Sequence, residues 1–439
     1  MYFSLIVAIL AISITALSYY YTKGKSIDNI SLHLLIALTS SFLIQSIGFI
    51  IYDLSYRSID TISVLSVADS FPLGATCILF LSIITSVIAI VFSKKSRVRN
   101  FKHEKINHKK TQLILIALAC LSVIGLYTFA ASVGTNIIGM LGGSSKWILS
   151  SQGGTVEFES NGYSRFLTSL GTPAFLFYVA YILQFRPKLT PGKIFTAALL
   201  FLSAVVPPIL LSSRGAALYL FISIVLMLAI KKRLSVKFLI SGSIITLLAF
   251  AALTAARYDS DNNASISYAF ESRVFYGGGI SLFNTSIMAD EYASDRGDIY
   301  YGQSYAGILT SPIPRSVWPS KPVIAYDQQI ARSIYKIPGT GAQAIPAGIL
   351  GETFMNFGFW GAWLIIPLIL IAATMLHNFF ITSRFEFLSF LFRGILYPKF
   401  AAKLFASGVG FAIMDLVLLG SVIFTIYYFT LIKRKEKNI

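Results

Sequence analysis

Apolar runs of 18 or more residues recur along this chain, and no other feature limits its fold so strongly. Each run is long enough to cross the roughly 30 Å hydrocarbon core of a bilayer as a helix. Backbone N–H and C=O groups find no water there, so a spanning segment must bond them internally, and a helix does this within one segment. Only 13% of the residues are charged and the mean hydropathy is +0.72, whereas soluble domains carry about a quarter charged residues. Too little polar surface remains to cover a water-facing globule. The expectation is an all-α integral membrane protein, 1–439 forming a single polytopic domain.

The runs predict eleven spans, at about 2–21, 30–52, 71–93, 112–133, 167–184, 193–211, 216–230, 236–255, 357–376, 380–396 and 411–431. The first run, from Tyr2 to Tyr21, lacks a basic leader and a small-residue cleavage site, so it reads as a retained span. Cys77 and Cys120 both fall inside apolar runs, which leaves no disulfide framework to expect.

A formal net charge of +17 would suit a nucleic-acid partner, but its placement argues against one. The basic residues cluster between apolar runs, as the positive-inside rule predicts for cytoplasmic loops. The segment "SKKSRVRNFKHEKINHKK" at 93–110 holds eight Lys/Arg and one Glu. Counting spans from it puts "KGK" (23–25), "FRPKLTPGK" (185–193), "KKR" (231–233) and "KRKEK" (433–437) on the same, cytoplasmic side. The N-terminus is then external and the C-terminus cytoplasmic. Two long segments become external: 134–166, and 256–345 between spans eight and nine. The longer balances seven Lys/Arg against eight Asp/Glu, and its length suggests short helices packed over the membrane face.

No Walker A sequence, GxGxxG after a strand or CxxC pair occurs, and the four histidines show no metal-ligand spacing. No cofactor or metal is expected. The candidate residues are charges in costly places. Arg214 falls in a short external turn between spans six and seven, where it either snorkels or meets an anion; Gly215 beside it permits close approach. Glu352, in "PAGILGETFMNFGFWG" (346–361), lies at the external start of span nine. A carboxylate there is favoured by the helix dipole, by about 0.3–1 kcal/mol, and half-immersion would raise its pKa toward a general base's range.

Arg257, Arg273, Arg315, Lys321, Arg332 and Arg393 add further external cations, mostly guanidinium groups suited to bidentate phosphate binding. Arg393 falls near the external end of the predicted span ten. Trp318 suits stacking on a sugar ring or anchoring at the headgroup level. It stands in "TSPIPRSVWPSKPVIAYD" (310–327), whose four prolines stiffen the loop.

Three blocks, "SSRGA" (212–216), "SPIPRSVWPSKP" (311–322) and "GETFMNFGFWG" (351–361), resemble those of the bacterial oligosaccharide repeat-unit polymerases, the O-antigen polymerases of the Wzy type. The likeness covers roughly residues 195–400 in detail. It implies a GT-C-like fold and an inverting glycosyltransferase at the outer face of the bacterial inner membrane. In that chemistry a glycan leaves undecaprenyl diphosphate for a sugar hydroxyl of the next lipid-linked unit. A diphosphate leaving group calls for external cations, and no nucleotide is spent. The resemblance assigns Arg214 to the donor diphosphate and Arg315 and Lys321 to diphosphate or sugar contacts. Glu352 becomes the base or a sugar-orienting group, with Arg273 a weaker match. Lipid-linked donor and acceptor are the implied partners, with a chain-length regulator in the same membrane as another. An O-antigen ligase and a flippase of lipid-linked sugars are the rivals. Ligases of that kind resemble one another in an external-loop histidine, and 256–345 contains none.

Overall fold

The computed structural model describes residues 62–92, 104–132, 161–211, 214–248, 282–310 and 348–432, single positions within them excepted, together with Ile137, Ile313, Val317 and Trp318. Regular structure there is helical. In chain order the helices are α1 (Ile62–Phe92), α2 (His108–Ser132), α3 (Asn161–Thr168), α4 (Gly171–Phe185), α5 (Pro191–Leu210) and α6 (Arg214–Ile230). The others are α7 (Leu282–Ala293), α8 (Gln303–Thr310), α9 (Gly348–Ile381), α10 (Glu386–Leu391), a π-helix (Phe392–Leu396), α11 (Tyr397–Ala406) and α12 (Val409–Thr430).

Among the described residues five helices are long and apolar enough to cross a membrane: His108–Ser132, Phe166–Phe185, Pro191–Leu210, Gly348–Ile381 and Val409–Thr430; Leu73–Ile88 and Leu218–Ile230 are shorter apolar stretches. They match expected spans within a few residues at most ends. The expected spans at 2–21 and 30–52 lie outside the described residues. On α9 the large side chains Trp360, Leu364, Leu368, Met375 and Phe379 are exposed at helical spacing. Water would not tolerate such an apolar stripe, and lipid would.

Span ten differs from expectation. The predicted 380–396 begins too early, because Ser383 and Arg384 are not helical; the helical run starts at Glu386 and continues through the π-helix to Ala406. The apolar count placed its start on Phe380 and Ile381, which belong to the end of α9.

The chain forms two compact units. The first takes Met1–Lys95, Ala264–Asn378 and Lys399–Asp415; the second takes Ser96–Asn263, Phe379–Pro398 and Leu416–Ile439. In the first, α7 lies on α1 so closely that a Cβ on Gly74 would stand 2.1 Å from Ser286 Oγ. Its buried residues Thr285, Ser286, Met288, Ala289 and Tyr292 make one helical face. In the second unit α4 and α5 meet backbone to backbone, Gly171 facing the Ser203 carbonyl. Small residues let spanning helices approach this way, where apolar burial does not drive them together. Asn107 starts α2 as an N-cap, its Oδ1 accepting from Lys110 N at 3.1 Å.

Candidate functional site

The block "GETFMNFGFWG" turns out to be a broken helix. Gly358, at φ 71° and ψ 174°, interrupts α9; without a Cβ it enters this left-handed region at little cost. The break frees the carbonyl of Met355 from the ladder, and the N–H of Tyr300 donates to it at 2.8 Å. The half after the break is long enough to cross the hydrocarbon core at 1.5 Å per residue. Glu352 and Asn356 ride on the short half before it.

Glu352 is only 6% exposed, and its carboxylate reaches a helix that is not its own. The N–H of Val409 donates to Oε2, and the N–H of Gly410 lies 3.4 Å from both oxygens. These are the first donors of α12, which have no partner within that helix. Gly408 explains why the cap comes from elsewhere. Its N–H bonds back to Lys403 O at 3.1 Å to close α11, while its carbonyl accepts from Ala412 to open α12. That double duty needs φ +106°, and a Cβ there would fall 2.2 Å from Glu352 Oε2. Glycine has no side chain with which to cap, so Glu352 supplies the anion that a helix N-terminus attracts.

Two further side chains complete the cluster. Ser304, on α8, donates through Oγ to Glu352 Oε1 at 2.9 Å. Asn356 donates through Nδ2 to Ser304 Oγ at 2.7 Å and to the Glu352 carbonyl at 2.8 Å. With both amide hydrogens committed, Oδ1 is fixed on the opposite side. That oxygen is buried without a hydrogen-bond partner, and so is the hydroxyl of the neighbouring Tyr305. Tyr305 packs beside Phe357, ring centroids 5.9 Å apart and the rings tilted by 33°. Burial, reinforced by the negative charge of Glu352, pushes the Tyr305 phenol up, so it stays protonated.

The other expected site residues are distributed otherwise. Arg214 is the first residue of α6. Arg257, Arg273, Arg315, Lys321 and Arg332 lie outside the described residues. Trp318 is described and is 38% exposed. Arg393 sits in the π-helix of the second unit, roughly 10 Å along the helical run that begins at Glu386. Its Nε donates to Ser389 O at 3.3 Å. Facing this turn, Tyr219 donates to the Ile395 carbonyl at 3.0 Å, and Gly394 makes room for Met227. The Tyr397 N–H closes the widened turn onto Phe392 O, a local geometry often found where a helix serves a function. Lys231 lies 3.4 Å from Glu386 at the start of the same run.

Sequence reasoning missed Ser304, Tyr305 and Asn356, and missed the ion pair of Lys399 with Asp415 at 3.6 Å. Asn356 and Gly358 stood inside the quoted block, and their spacing from Glu352 was the available signal. Ser304 gave none, because it meets Glu352 only through the fold.

No family model, curated protein or solved structure matches the chain.

Proposed function

We propose that this protein is an O-antigen polymerase-like glycosyltransferase, joining lipid-diphosphate-linked oligosaccharide units at one face of a membrane. The observation that carries the reading is the buried polar cluster around Glu352. It is built by one of the three sequence blocks that suggested the family, and it stands before the membrane-crossing half of a broken helix. On this reading the chain has eleven spans, and the Glu352 end faces outward, away from the basic segments. Arg214, with Arg315 and Lys321 of the proline-rich block, neutralises the donor diphosphate. Arg257, Arg273 and Arg332 supply further positive charge, and Trp318 meets a sugar or the headgroup layer. Of the two roles weighed for Glu352, the geometry favours orientation over proton abstraction, since α12 amides and Ser304 already occupy its oxygens.

A second reading draws on Arg393. A charge some 10 Å along a helical run suits a transport path better than a site at one face, so movement of lipid-linked sugars without new bonds is the rival. Purified protein given lipid-linked repeat units separates these: a ladder of longer glycans marks a polymerase, transfer to lipid A core a ligase, and movement alone a transporter. In the polymerase assay Arg214→Ala abolishes chain growth at normal expression, and Arg214→Lys restores little, because an ammonium lacks the bidentate guanidinium fork. Wild-type chain lengths from Arg214→Ala would reduce Arg214 to a snorkelling residue.

A further inference from the structure

Two atoms beside Glu352 are not used by the fold. Asn356 is 1% exposed, its amide orientation is set by two bonds through Nδ2, and its Oδ1 meets no donor. The Tyr305 hydroxyl is buried and meets no acceptor. Leaving such groups unpaired costs stability, and at position 305 a fold selected for stability alone would carry an apolar ring. Phenylalanine there would lose no hydrogen bond that the protein makes.

The chemistry of the missing partner follows from these two atoms and their neighbour. Asn356 Oδ1 asks for a donor, and the protonated phenol of Tyr305 asks for an acceptor. An anion would be repelled by the Glu352 carboxylate and by Oδ1, and a bare cation would leave the phenol hydrogen unmatched. A hydroxyl both donates and accepts. We infer that Tyr305 and Asn356 form the recognition site for a neutral sugar hydroxyl, with Glu352 and Ser304 holding them in place. This rests on the glycosyltransferase reading above and goes further in naming the atoms that read the glycan. Glu352 thereby becomes a positioning residue: its carboxylate fixes Ser304, Ser304 helps fix the Asn356 amide, and the amide presents Oδ1.

The test uses the full chain in lipid nanodiscs and two probes: undecaprenyl diphosphate carrying the repeat unit, extracted from cells that make the protein, and undecaprenyl diphosphate alone. Wild type should bind the glycan-bearing lipid at least tenfold more tightly than the bare one. Tyr305→Phe should keep its affinity for the bare lipid and lose about tenfold for the glycan-bearing one, the worth of one discriminating hydrogen bond. Its melting temperature should equal or exceed that of wild type, because no bond within the protein is lost. Equal glycan preference in Tyr305→Phe and wild type overturns the assignment and leaves the glycosyltransferase reading intact. A clear fall in the melting temperature of Tyr305→Phe overturns it too, since the hydroxyl would then serve the fold through a bound water. Absence of any glycan preference in wild type sinks both.

Discussion

Glu104 and Glu352 each set a carboxylate on the first turn of a helix to which they do not belong. Glu104, in the second unit, accepts from Phe387 N of α10 at 2.6 Å and from the Tyr427 hydroxyl of α12. Glu352, in the first, accepts from the start of α12 and from Ser304. Around Glu104 the chain is stitched backbone to backbone, Asn107 N to Thr430 O and Ile432 N to Lys105 O, both at 2.9 Å. Around Glu352 the fold leaves Asn356 Oδ1 and the Tyr305 hydroxyl unmatched. A carboxylate set on the start of another helix is therefore no mark of a site by itself. What separates the two is the state of the neighbours: one carboxylate stands among bonded groups, the other beside two buried polar atoms that the chain leaves unmatched.

The comparison breaks most sharply at Gly408. Replacing it by alanine forces a left-handed backbone and drives a Cβ into the carboxylate, a loss of roughly 2–6 kcal/mol from strain and overpacking together. Thermal unfolding in detergent should register it as little or no folded protein; a melting curve like wild type would mean Glu352 does not hold α12. Next in size, Glu352→Leu strands the α12 amides and the Ser304 hydroxyl. It should cost at least about 1.5–3 kcal/mol, the range for a hydrogen bond to a charged group. Glu352→Gln, which keeps one acceptor oxygen, should cost less, and equal losses in the two variants would deny that the charge matters.

The smallest effect concerns Glu104 and pH. Burial raises its carboxyl above the ordinary 4.5, against the pull of the Tyr427 hydroxyl and of the Phe387 and Leu388 amides; Glu386 nearby adds to the rise. Between 4.5 and the raised folded value, the folded protein keeps a proton that the unfolded chain has lost. Stability contributed by this group thus falls as pH climbs through that window. Glu104→Gln should flatten the decline, as read from melting temperatures across pH 4 to 7, and parallel curves for the two proteins would contradict it.

The spanning helices were legible because length and apolarity alone define them, as at 112–133 against His108–Ser132 and at 411–431 against Val409–Thr430. Span ten was misplaced because hydropathy carries no punctuation where two apolar helices nearly abut, Ile381 closing one and Glu386 opening the next. Glu352 was legible as a costly charge, but its partners were not. Expectation put it on the dipole of its own helix; the fold gives it the first turn of α12, more than fifty residues on. Ser304 and Tyr305 looked like ordinary loop residues, since nothing local distinguishes a serine that will meet a buried carboxylate from one that will meet water.

The bond from Tyr300 N to Met355 O, made possible by the break at Gly358, joins two points far apart in the chain. The stretch between them takes in α8, the proline-rich block of the sequence and the start of α9, and Ser304 bonds to Glu352 near its two ends. Closing a loop costs only about 0.6 kcal/mol more for each doubling of its length. Residues added between α8 and α9 therefore raise the cost of closure only slightly. Relatives of this chain would then differ most in length between α8 and α9, while the residues that bond across the two ends stay in place.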